Sequence, residues 1–215
     1  MRGFPVILSA PSGAGKTSIR HRLLQRRPDV GYSTSCTTRA PRAGEVDGTD
    51  YHFLTTEEFT KARDHGDFAE WAVVHGHLYG TKRSEVERIL TAGKHVLMDI
   101  DVQGARQFAV AYPDSVLVFI LPPSGEVLLS RLSARGSEDQ ARLLTRLENA
   151  LTEMRDVGRY HYVVVNDDLE LAVDRVSSII DAEAVRHDRV YEVERQVEAL
   201  IEQLEREIKN FPRGD

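Results

Sequence analysis

The sequence predicts an α/β fold with a parallel sheet flanked by helices, and three observations predict it. Short apolar runs alternate with amphipathic stretches along most of the chain. Two runs, Leu97-Met98 and Val116-Leu117-Val118-Phe119-Ile120-Leu121, lack the polar alternation of a half-exposed strand. The first run leads at once into a glycine-rich loop and a helix. Strand–helix alternation of this kind builds parallel sheets through right-handed crossovers.

The elements can be justified in order. Residues 6–8 form the first strand, and Lys16–Arg26 the first helix. Between them runs Ala10-Pro11-Ser12-Gly13-Ala14-Gly15-Lys16-Thr17. Such a loop aims several backbone N–H groups at one point, and the helix N-terminus adds positive partial charge. The strict phosphate-loop pattern has glycine where this chain has Ala10. A nucleoside triphosphate is the expected guest, held by Ser12, Gly13, Ala14, Gly15, Lys16, Thr17 and Ser18. Lys16 reaches the outer phosphates, and the Thr17 hydroxyl is the candidate Mg²⁺ ligand, partly through water.

Residues 33–83 break the alternation and read as a mixed insert, longer than an ordinary connection. Short strands are expected near residues 51–53 and 70–74, and a helix opens at Thr55, where Thr55 and Glu58 spell a capping box. A helix over 84–92 and a strand over 95–100 follow, the strand closed by Asp99 and Asp101. Residues 115–121 give a strand and 125–132 a helix. Arg131, Arg135, Arg142 and Arg146 then crowd around Gly136, with Ser137 and Gln140 placed to cap the next helix. Tyr162–Val165 is the last strand and Leu169–Ala184 the next helix, with Asp167 and Asp168 at its start. Val190, Val193, Val197, Leu200, Leu204 and Ile208 stripe one further helix, ended by Pro212. That stripe either docks on the chain's own core or meets a second copy.

Bulk composition narrows the classes. With 41% hydrophobic and 29% charged residues, the chain is an ordinary soluble mixture. A net charge of −6 disfavours a nucleic-acid partner. The single cysteine, Cys36, allows no intrachain disulfide and suits a reducing compartment. No secretory signal and no membrane-spanning run is read, so a cytoplasmic location is expected. His75 and His77 alone make a poor metal site, Trp71 reads as packing, and Cys36 has no relay partner to make it a nucleophile.

Beyond the loop, five separated motifs become specific. They are Ser33-Thr34-Ser35-Cys36-Thr37-Thr38-Arg39-Ala40-Pro41-Arg42-Ala43-Gly44-Glu45, Gly48-Thr49-Asp50-Tyr51-His52-Phe53, Tyr79-Gly80-Thr81, Asp99-Ile100-Asp101-Val102-Gln103-Gly104 and Asn166-Asp167-Asp168-Leu169. Together they closely resemble the guanylate kinase family, over residues 4 to 186. The resemblance implies a P-loop NTPase core (1–32, 84–130 and 147–186), a GMP-binding insert (33–83) and a mobile lid (131–146) within a domain of residues 1–186, followed by a helical extension over 187–215. It implies ATP as phosphate donor, Mg²⁺, and GMP and dGMP as acceptors; the C-terminal helix leaves monomer and homodimer both open.

The chemistry supports that carry-over. Arg39 and Arg42, three apart, form a fork for the GMP phosphate, with Tyr51 and Tyr79 adding hydroxyl donors. Guanine presents N1–H and a 2-amino group as donors. Glu70 occupies the family position that accepts from both, Ser35 the position near O6, and Thr81 a hydroxyl that bonds base or phosphate. Adenine would leave a Glu70 lone pair unsatisfied. Asp99 and Asp101 stand where the family positions acceptor, arginine and metal. Lys16, Arg39, Arg131, Arg135, Arg146, Asp99 and Asp101 are the expected catalytic set, and Asn166 the expected contact to adenine or its ribose edge. A different phosphorylated acceptor and a non-catalytic phosphopeptide-binding module are the rival readings. The Ser35–Glu70–Thr81 set speaks against the first, and the intact loop lysine and arginines against the second.

Overall fold

The computed structural model describes residues 3–74, 76–134, 140–190 and 193–210, with the side chains of 134, 141 and 142 left out. His75, Arg135, Gly136, Ser137 and Pro212, and the side chain of Arg142, therefore lie outside the described residues. In chain order the first half runs β1 (Pro5–Ser9), α1 (Lys16–Arg26), β2 (Val30–Tyr32), β3 (Cys36–Thr37), β4 (His52–Phe53), α2 (Thr56–Asp64), β5 (Phe68–Val74), β6 (His77–Lys82) and α3 (Arg83–Thr91). The second half runs β7 (His95–Asp99), α4 (Val102–Ala111), β8 (Val116–Leu121), α5 (Gly125–Ala134), α6 (Gln140–Met154), β9 (Tyr162–Val165), α7 (Leu169–Ala184) and α8 (Val193–Asn210). Single 3₁₀ turns sit at Val157–Arg159 and His187–Arg189.

The main sheet has the order β2-β7-β1-β8-β9, and every pairing in it is parallel. β1 is buried along its whole length because both its faces are covered. Val6 and Leu8 pack with Ile19 and Leu23 of α1 and Val176 and Ile180 of α7. Ile7, on the opposite face, packs with Val86 and Ile89 of α3 and Phe108 of α4. The period of two in a strand sends alternate side chains to these two cores. Burying each such aliphatic side chain is worth roughly 1.5–3 kcal/mol.

The second sheet, β4-β3-β6-β5, is built wholly from residues 36–82 and mixes parallel and antiparallel pairs. Its own small core stacks Phe59 on Phe68 at 4.3 Å beside buried Cys36. The Thr55–Glu58 capping box forms as the sequence spells it, with both reciprocal bonds present. α4 lies against β5, where Gln107 bonds the Trp71 backbone in both directions at 2.7 and 3.2 Å. This contact sets the second sheet beside the carboxyl ends of β1 and β7.

One expectation is corrected, and one of two open readings is narrowed. The strand read over 95–100 stops at Asp99, because Asp101 turns out of line to cap α4, a helix that the sequence reading omitted. The C-terminal stripe does not dock on the core: α8 buries none of its residues, and Val197, Leu200, Ile201, Leu204 and Ile208 are all exposed.

Candidate active site

The loop after β1 is shaped for an anion. Gly13 and Gly15 take positive φ, 88° and 95°, a region that side-chain-bearing residues avoid. No side chain caps α1, and its first turn carries no acidic residue. The N–H groups at this helix start are thus left for a ligand. Lys16 Nζ donates to the Ile100 carbonyl at 3.2 Å, which aims it across the end of β7. Thr17 and Ser18 are exposed on the first turn.

Asn166, expected near adenine, is buried and its Nδ2 donates to the Ala14 carbonyl at 2.7 Å. A Cβ at Gly15 would stand 2.2 Å from that same Nδ2. The side chain therefore fastens the phosphate loop through Nδ2.

A cavity of about 260 Å³ opens between the sheets, lined by Lys16, Ser35, Arg39, Arg42, Tyr51, Glu70, Tyr79, Asp99 and Asp101 among others. Residues spread over 86 positions of sequence (16 to 101) meet here because β5 and β6 face the ends of β1 and β7. Arg39 Nε donates to Tyr79 Oη at 3.1 Å, and its Nη2 donates to both Glu45 oxygens at 2.8 and 2.9 Å. Glu45 also accepts from the Arg42 backbone N–H at 2.7 Å, so one carboxylate holds the Arg39 guanidinium and the Arg42 backbone. The Arg39 guanidinium lies 5.4 Å from the Tyr51 ring centre. Burial pushes the Tyr51 hydroxyl upward from its ordinary pKa, which keeps it a donor.

At the back of this cavity Glu70 is only 4% exposed. A β-bulge between Phe68 and Glu70 re-aims the strand there. Thr81, directly opposite on β6, donates to Glu70 Oε1 at 2.6 Å. Ser35 Oγ stands 3.5 Å from Thr81 Oγ1. With Thr81's one proton spent on Glu70, Ser35 is the donor in that contact. Burial pushes the Glu70 carboxyl up to about 7, against the opposing pull of the Thr81 bond. Thr81 satisfies only part of what the buried carboxylate form can accept, and a guest with two N–H groups would supply further donors.

Asp99 and Asp101 take separate work. Asp99 accepts from Tyr32 Oη at 2.7 Å and pairs with Arg20 at 3.3 Å. Asp101 Oδ1 accepts from the Gln103 and Gly104 N–H groups at 2.7 and 2.9 Å as the N-cap of α4. Asp101 also lines a second cavity, of about 440 Å³, with Ser12, Arg106, Arg146, Glu153 and Asp156. Arg146 Nη1 donates to the Leu132 carbonyl at 3.4 Å, and Arg131 has a buried Nη1 without a partner among the described residues.

Sequence reasoning missed Arg20, Tyr32, Gly104 and Glu153. Arg20 had a readable signal: it lies four residues after Lys16, on the same helix face. Glu153 had none. Its Oε2 is buried without a partner, burial pushes its carboxyl up, and the Lys16 charge and Ser12 N–H face it from the phosphate loop. Cys36 is inert: burial pushes its thiol up to about 11. Among the described residues no cluster of three or more His, Cys, Asp or Glu could hold a metal ion.

The chain is similar in sequence and fold to known proteins. The guanylate kinase family model matches residues 2–183. A guanylate kinase of Clostridium perfringens is 46% identical over 205 residues, 94% of this chain and 95% of that protein. One from Thermotoga maritima is 48% identical over 189 residues, 88% and 91% of the two chains. The crystal structure of a guanylate kinase from Anaplasma phagocytophilum matches with a TM-score of 0.77 at 34% identity, covering 92% of this chain and 94% of that one. The chain belongs to the guanylate kinase family, the phosphotransferases that pass phosphate from ATP to GMP.

Proposed function

We propose that the residues assembled around the two cavities carry the transfer of the ATP γ-phosphate to GMP, with dGMP as a further acceptor. The observation that carries this is that Lys16, of the phosphate loop, shares one cavity with Glu70, Arg39 and Tyr79. Arg39 and Arg42 grip the acceptor phosphate, with Tyr51 and Tyr79 donating beside them. Glu70 accepts from N1–H and the 2-amino group, Thr81 holds Glu70, and the Ser35 hydroxyl turns to O6. Base and phosphate are thus read, and no residue is assigned to the sugar 2′-hydroxyl, which supports dGMP as a second acceptor.

The donor phosphates lie on the N–H groups of residues 12–18 and on Lys16. The absence of a protein-built acidic cage among the described residues suits a cation that arrives with nucleotide phosphates and keeps most of its waters. The Thr17 hydroxyl would hold Mg²⁺, whose chemistry there is charge neutralisation of the polyphosphate. Arg131, Arg135 and Arg146 offset charge on the transferring phosphoryl group as residues 131–146 close over it and exclude water. Asp99 and Asp101 flank the acceptor phosphate, which is already a competent nucleophile and needs no strong base.

Residues 1–32, 84–130 and 147–186 then act as the core, 33–83 as the acceptor-binding insert and 187–215 as an extension. The exposed stripe of α8 supports a homodimer rather than a monomer, and a cut before Val190 followed by sedimentation tests this. The lone, buried Cys36 supports a cytoplasmic site of action, and no described helix is long and apolar enough to cross a membrane. A coupled assay of ADP release with Mg²⁺, ATP and each of GMP, dGMP, AMP and UMP tests the whole reading. Turnover with GMP and dGMP alone is expected, and equal turnover with AMP would overturn the assignment of Glu70.

A further inference from the structure

Gly104 lies in the first turn of α4, and what matters is the side chain it lacks. A Cβ built on it would stand 2.4 Å from Glu70 Oε2 and 3.2 Å from Glu70 Cδ. The next atom, Ile100 Cβ, is at an ordinary 3.6 Å. The space that any other residue would fill is therefore taken by one carboxylate oxygen.

Nothing in the backbone asks for glycine here. Gly104 has helical geometry and is absent from the residues with positive φ. Glycine is a poorer helix former than alanine, so its presence weakens α4. Its N–H is already fixed by Asp101 at 2.9 Å. The two walls around the Glu70 carboxylate are then distinct. Thr81 fixes Oε1 by a hydrogen bond, and Gly104 leaves room for Oε2. With Oε1 engaged, the aim of Oε2 decides whether the carboxylate can meet two adjacent base donors at once.

We propose that Gly104 is a specificity-determining positioning residue, which sets the Glu70 carboxylate by reserving the volume of a side chain for Oε2. This rests on the reading of Glu70 as the acceptor for guanine. A methyl group at 104 displaces Oε2 by about 1 Å to reach normal contact, and displacements of that size cost up to about a hundredfold in rate. Because the clash falls on the tip of a flexible side chain, the fold itself is spared.

The test compares full-length wild type, Gly104→Ala and Glu70→Gln, with kcat and KM measured for GMP, IMP (which lacks the 2-amino group) and AMP. For Gly104→Ala, kcat/KM with GMP is expected to fall about 10- to 100-fold, and the GMP/IMP and GMP/AMP ratios to shrink with it. The KM for ATP should stay within about twofold and the thermal midpoint should hold or rise. Combining Gly104→Ala with Glu70→Asp, which draws the carboxylate back, should recover part of the GMP/AMP ratio lost in Gly104→Ala. Wild-type ratios in Gly104→Ala, alongside lost ratios in Glu70→Gln, would overturn the role of Gly104 and leave Glu70 as the reader. Wild-type ratios in Glu70→Gln would remove Glu70 as the reader, and this proposal with it. A Gly104→Ala chain that fails to fold would show that the clash is not confined to the carboxylate, which also overturns it.

Discussion

Thr81 Oγ1 donates to Glu70 Oε1 at 2.6 Å, across the register pair that sets the two residues opposite each other on β6 and β5. This is the one side-chain hydrogen bond recorded for the Glu70 carboxylate among the described residues. Thr81→Val keeps the shape and removes the donor. It should weaken GMP binding by about 1–3 kcal/mol, while Thr81→Ser stays near wild type. Calorimetric titration of both variants with GMP checks the difference.

The same carboxyl makes base recognition depend on pH. Burial pushes Glu70 up to about 7 from its ordinary 4.5, and guanine's donors favour the ionised form. Below about pH 7 the carboxyl must lose a proton before it can accept from the base. Guanosine, which has no phosphate to titrate, should bind about tenfold more weakly for each pH unit below 7, and the dependence should vanish in Glu70→Gln. Calorimetry in buffers of different ionisation enthalpy should report proton release on binding near pH 7.

Folding stability of the ligand-free protein follows with a definite sign. Between about pH 4.5 and 7 the native state holds the Glu70 proton and the unfolded chain has released it. The raised carboxyl therefore favours folding at the acid end of this window, and stability falls as pH rises through about 7. The full effect is on the order of 3 kcal/mol at most. Urea unfolding should find Glu70→Gln more stable than wild type at pH 8 and nearly equal to it at pH 5.

Arg20 and Asp99 form an ion pair whose side chains are 10% and 11% exposed. Among the described residues, Arg20→Met leaves Asp99 with the Tyr32 hydroxyl as its hydrogen-bond donor. An uncompensated buried charge costs roughly 3–5 kcal/mol, so the urea midpoint should drop clearly. An unchanged midpoint would mean that Asp99 reaches solvent or another cation.

Lys16 stands at the start of α1 beside the phosphate loop, and its side-chain hydrogen bond is to the Ile100 carbonyl rather than to Arg39, Arg42 or Tyr79. Lys16→Ala should lower kcat by about a hundredfold or more, with the Kd for GMP nearly unchanged. Single-turnover kinetics and GMP titration separate the two effects.

The α/β class and most elements of the main sheet were legible in the sequence because buried parallel strands are continuous apolar runs. Lys16–Arg26 and Leu169–Ala184 match their expected bounds to the residue. α4 escaped because Gly104 lowers helix propensity and because Asp101 reads as chemistry before it reads as a cap. β2 and β3, of three and two residues, are too short to show a period. On the site, the phosphate-loop motif gave Lys16 and the family resemblance gave Arg39, Glu70 and Tyr79, and all four line one cavity. Neither motif nor resemblance could show that Glu45 restrains the arginine fork, that Asn166 turns back onto Ala14, or that Glu153 faces the loop. Each of those depends on how distant elements pack, and no local pattern encodes it.

The position of β1 also bears on how the molecule is made. It leaves the ribosome well before its sheet neighbours, because it lies mid-sheet and its register partners are residues 96–99 and 116–119. This largely apolar strand must wait, unpaired, until residues 96–119 have followed it. Nascent chains stalled between β1 and β8 should therefore recruit chaperones far more strongly than chains stalled after β8 has emerged.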